Sequence, residues 1–74
     1  MKITGTNSYI KVELDGKIYK IDGEMIVGGF VAYKDTMVLI EKDEEIAVDE
    51  ESKLEIIQKV SIEAKDPARK IIFE

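Results

Sequence analysis

The chain contains no cysteine, no histidine and no tryptophan, a single proline and a single arginine. Each absence removes a class of chemistry. Without cysteine there is no disulfide framework, no thiolate nucleophile and no thiolate metal site. Without histidine the usual near-neutral general base is missing, and Ser8, Ser52 and Ser61 have no imidazole to activate them. A chain of 74 residues with a net charge of −5 gains little from neutralising phosphates, so nucleic acid is not an expected partner. No apolar run approaches the roughly 20 residues of a membrane helix, and Met1-Lys2 leads into no apolar signal segment. The expected setting is the cytoplasm, with no membrane partner. No cofactor is implied.

What is present is aliphatic and charged. Hydrophobic residues make up 45% of the chain and charged residues 36%, which is a folding composition rather than a disordered one. Twelve isoleucines and six valines favour strands and dense packing. Residues 1–74 are too few for two cores, so a single domain is expected, near the lower size at which one core suffices.

Turn chemistry divides the first half. Asp15-Gly16 and Asp22-Gly23 suit two-residue hairpin turns, Gly28-Gly29 is a third candidate for a turn or bulge, and Lys34-Asp35 a weaker fourth. Between them lie Tyr9–Leu14, Lys17–Ile21, Glu24–Val27, Phe30–Tyr33 and Thr36–Glu41, an antiparallel meander of about five short strands. With two residues in each turn, one face collects Ile10, Val12, Leu14, Tyr19, Ile21, Ile26, Val31, Val38 and Ile40. The other face starts polar but gathers Met25, Val27, Phe30, Met37 and Leu39. A single helix cannot cover both faces of a sheet, so either the sheet coils until this second face is shared, or another copy covers it, as a homodimer, or a partner does. A one-residue slip at any turn would exchange the faces beyond it.

The second half changes period. Asp49 can cap a helix over about residues 50–65, with Glu50 and Glu51 at the positive end of its dipole; Ser52-Lys53-Leu54-Glu55 offers a rival capping box. Leu54, Ile57, Ser61 and Ala64 recur at helical spacing, widened by Ile56 and Val60. Asp66-Pro67 ends the helix, and Lys70–Phe73 reads as a final strand. The fold class is therefore α+β.

Charge is unevenly placed. Residues 1–37 are neutral overall, and the whole net charge falls on residues 38–74. Between Glu41 and Glu51 the only basic residue is Lys42. Such a segment can be a solvated loop with ordinary first-turn acids, or a negative surface that accelerates encounter with a basic partner. The acids have neither the alternation nor the central glycine of a calcium loop, so no metal is expected. Gly28-Gly29 opens no helix and precedes no Lys-Ser/Thr, which excludes a phosphate loop. The candidate partner-binding residues are Glu41, Asp43, Glu44, Glu45 and Asp49, with Phe30 as an apolar anchor.

The order of segments is similar to a known family. Ile3-Thr4-Gly5-Thr6 precedes Tyr9-Ile10-Lys11-Val12-Glu13 and the Gly16-Lys17 turn. Gly23-Glu24-Met25 follows, then Gly29-Phe30-Val31-Ala32 with Tyr33 and Asp35. Asp49-Glu50-Glu51-Ser52-Lys53 leads into Ile56-Ile57-Gln58-Lys59-Val60, and Ile71-Ile72-Phe73-Glu74 closes the chain. Together these resemble the immunity protein 74 family of bacterial polymorphic-toxin systems. The resemblance implies a non-enzymatic α+β protein that binds and neutralises a cognate protein toxin inside the producing cell. If that toxin is a nuclease, its basic cleft would attract the acidic segment, which would stand in for phosphates. The competing reading is a structural or oligomerisation module without a toxin.

Overall fold

Seven strands and one helix follow one another in the computed structural model, which describes residues 1–63 and 70–74. The strands are β1 (Lys2–Gly5), β2 (Tyr9–Leu14), β3 (Lys17–Ile26), β4 (Gly29–Ala32), β5 (Val38–Glu41), β6 (Glu44–Ala47) and β7 (Lys70–Phe73). Helix α1 spans Glu50–Glu63 and separates β6 from β7. The sheet runs β1-β2-β3-β4-β7, and β5 and β6 branch from the other end of β3. All pairings are antiparallel except β4 with β7, which lie parallel because the helical connection returns the chain in the same direction.

The first hairpin forms as its sequence dictates. Asp15 and Gly16 both adopt positive φ, at 52° and 78°, and the register Leu14↔Lys17, Val12↔Tyr19, Ile10↔Ile21 follows from that two-residue turn. The expected turn at Asp22-Gly23 does not form. β3 passes straight through it as a ten-residue strand. The reason is close packing: a Cβ on Gly23 would run into the Val31 carbonyl oxygen and come within 2.8 Å of the Phe30 ring. The glycine serves an approach between strands, not a reversal of the chain.

Because β3 continues, every face assignment beyond residue 22 moves over by one. Phe30 and Ala32 join Ile10, Val12 and Ile21 inside, opposite Met25 and Gly23 in the ladder. Met37 is also buried, whereas Val38 and Ile40 pair with Lys20 and Ile18 on the outer face. The next reversal falls at Val27-Gly28, one residue ahead of the glycine pair; Ile26 pairs with Gly29, and Gly28 takes the positive φ of 84°. The expected second apolar face is thereby dissolved. Phe30 is 6% exposed and belongs to the core, so it is not a surface anchor, and the face proposed for self-association does not form.

β4 and β5 are two stretches of one path along β3. Gly23 pairs with Ala32 and Lys20 with Val38, so three residues back on β3 correspond to six forward on its neighbour. The surplus is the 3-10 turn Lys34–Thr36, in effect a large bulge. Local bonds fill the gap it leaves. Tyr33 N–H donates to the Asp22 carbonyl at 2.8 Å, Asp22 N–H donates to Thr36 Oγ1 at 2.9 Å, and Thr36 Oγ1 donates to the Tyr33 carbonyl at 2.7 Å. Two further strands were not foreseen: β1, from Ile3-Thr4-Gly5, and β6, from acids read as loop.

Helix α1 starts where expected, with Ser52 N–H donating to Asp49 Oδ1 at 3.1 Å and Lys53 N–H to the Asp49 carbonyl at 2.9 Å. Its buried stripe is narrower than expected: Ile56 and Val60 enter the core and Ile57 packs beside it, while Leu54 is 61% exposed. Ala64 and the Asp66-Pro67 stop lie outside the described residues. Among the described residues the core comprises Ile10, Val12, Ile21, Phe30, Ala32, Met37, Ile56 and Val60.

Two substitutions separate the helix faces. Ile56→Ala is expected to lower the free energy of unfolding by about 2–5 kcal/mol, and Leu54→Ala to change it by less than about 0.5 kcal/mol, both read by urea titration. Equal losses at the two positions would mean that the helix is rotated. Gly23→Ala is expected to destabilise by about 1–3 kcal/mol or more, because β3 and β4 must separate to admit the methyl group.

Candidate partner-binding surface

β5 and β6 form a hairpin whose turn is Lys42-Asp43. Both residues are left-handed, with φ of 50° and 64°, the signs of a type I′ turn built without glycine. Glu41 and Glu44 close that turn as directly opposed partners in the ladder. Opposed like charges at this separation repel. Asp43 sits at the tip between them. Ile18 pairs with Ile40, so this turn and the Asp15-Gly16 turn lie at the same end of the sheet.

The other expected site residues are placed differently. Glu45 falls opposite Ile40 on the outer face, where its carboxylate lies 3.7 Å from Lys20 Nζ. Lys20 is shared with Asp22 at 4.0 Å and stands 4.9 Å from the centroid of the Tyr9 ring. Asp49 is committed to the helix: the Ser52 hydroxyl and then the Ser52 N–H hold its carboxyl below the ordinary value of 3.8. The hairpin therefore brings together Glu41, Asp43 and Glu44. It does not gather Glu45 or Asp49 into the same cluster, and Phe30 lies inside the protein. Among the described residues no three acids converge closely enough to hold a metal ion.

At the opposite end of β3 the surface is apolar. Met25, Ile26 and the fully exposed Val27 project at the β3–β4 turn. Beside them opens a cleft of about 500 Å³ between β1 and β7, with Ile3, Ile10, Phe30 and Ile71 in its lining. The sequence signal for the turn was present in Val27-Gly28. The cleft had none, because it arises where the curled sheet leaves two strand edges unjoined.

Residues 2–74 match the sequence pattern of the family described as immunity protein 74. The chain belongs to that family. No curated protein matches it, and no solved structure does. Membership spans essentially the whole fold, from β1 to β7. The family is generally non-catalytic. A toxin partner and a toxin-neutralising role follow from membership; the kind of toxin does not.

Asp49 yields a pH test. Its folded-state pKa is depressed, so its contribution is present above the ordinary value of 3.8 and is lost as pH falls through the lower folded value. Asp49→Ala is expected to lower the melting temperature at pH 7, with the difference from wild type shrinking once pH drops below 3.8. A difference that stays constant through that range would mean the carboxylate is not the cap.

Proposed function

We propose that this chain is the cytoplasmic immunity protein of a bacterial polymorphic-toxin system, and that it occludes the active site of a basic toxin with its acidic hairpin. A nuclease fits best, since its phosphate-binding cleft is complementary to clustered carboxylates. The carrying observation is the opposed pair Glu41 and Glu44 beside Asp43 at the tip of an exposed hairpin. A free protein is less stable for such a pair, and a cationic partner relieves the repulsion. Glu45 adds charge on the outer face. Asp49 contributes only its field, its oxygen being engaged by the helix.

This reading predicts that function and stability move in opposite directions at one residue. Glu44→Lys places a cation opposite Glu41 and is expected to raise stability by about 0.2–1 kcal/mol. The same change should slow association with the toxin domain encoded beside this chain by about tenfold and flatten its salt dependence. The measurements are thermal unfolding and stopped-flow association at several ionic strengths, with growth protection in cells expressing that toxin domain. Unchanged association kinetics with full protection would remove the hairpin from the interface.

A further inference from the structure

β6 is the one described strand in which every residue is exposed, Ile46 included at 41%. It contributes nothing to the core, yet a turn with both residues left-handed holds it in register on β5. Among the described strands it pairs with β5 alone. In a two-residue hairpin the closing pair exchanges both its hydrogen bonds, and the pairs then alternate. Glu41↔Glu44 and Leu39↔Ile46 therefore use their backbone groups on each other, and the N–H and C=O of Glu45 and Ala47 point away from β5. The other exposed edges, β1 and β7, flank the cleft and carry Lys2 and Lys70. Among the described residues the outer edge of β6 is unpaired, and it is acidic.

From this we infer that the partner docks by adding a strand to the outer edge of β6. The inference rests on the toxin-binding reading and supplies its geometry. The chemistry along the edge selects the occupant. Glu44 and Glu45 call for two adjacent basic residues on the incoming strand, one on each face of the sheet, and Ile46 and Ala47 for two aliphatic ones. A second copy of this chain is a poor occupant, because antiparallel pairing of two β6 edges places four carboxylates within one short ladder. Charged edge strands are a common defence against such self-pairing. Here the same charge admits a strand of opposite sign, whose main-chain bonds supply affinity while its side chains supply selection.

The test reads the edge itself. A synthetic peptide threonine–valine–valine–lysine–lysine–threonine is the probe, with glutamates in place of its lysines as the control. Amide hydrogen exchange by NMR is expected to slow by about tenfold or more at Glu45 and Ala47 with the lysine peptide, and not with the control. Ala47→Pro removes an outward N–H without touching the bonds to β5, and it should abolish that protection while the fold stays intact. In the toxin-protection assay the same variant should lose protection. Unchanged exchange at both amides, or equal slowing at β1 and β7, overturns strand addition at β6. So does a folded Ala47→Pro variant that still protects fully. If wild type fails to protect against the toxin while the lysine peptide slows the two amides, the toxin-binding reading falls and the edge site stands.

Discussion

The close contact between Gly23 and the β4 strand is the constraint on which the rest of this fold depends. With no side chain at residue 23, the Phe30 ring and the Val31 backbone settle against β3. The strand then continues for ten residues. Continuity keeps residues 19, 21, 23 and 25 on one face, and the ladder partners of the last two, Ala32 and Phe30, are buried there, while Met25 at the end of the strand is exposed. The helix has a single apolar surface to cover as a result. A turn at Asp22-Gly23 would have split that surface between two faces, leaving a 74-residue chain with too little core on either.

The same continuity sets the branching. One side of β3 is lined by β2, while the other must accept both β4 and β5, which run in the same direction along it. The three-residue surplus at Lys34–Thr36 lets them do so, and the Asp22, Tyr33 and Thr36 bonds satisfy the backbone at the corner. Tyr33 also donates to Glu24 Oε2 at 3.0 Å, which holds its hydroxyl above the ordinary tyrosine value and ties the corner to the far half of β3. Past the corner, β5 supports β6 at the margin of the sheet, with the core already complete behind it.

The core and the outermost strand are thereby segregated. The buried set draws on β2, β3, β4, the corner and the helix, and none of it comes from β6. The acids that close the Lys42-Asp43 turn are directly opposed in the ladder, a local electrostatic cost to folding. Surface ion pairs such as Lys20 with Glu45 offset little of that.

Whatever depends on neighbours along the chain can be read in one dimension. Asp15-Gly16 has the residues that tolerate positive φ, so the first hairpin and its register were legible. Asp49 directly ahead of Glu50 and Glu51, with helical spacing beyond them, announced α1, and the order of turn and strand words announced the family. Concentration of the negative charge beyond residue 37 was legible too. Tertiary structure alone decided the role of Gly23, because a glycine that permits a turn and one that permits a neighbour's ring read identically in one dimension. It decided that Phe30 is core and Leu54 is not, since a single residue of register moves a side chain from one face to the other. It also decided that Glu44–Ala47 is a strand: pairing energy comes from β5, a partner that local propensity does not contain.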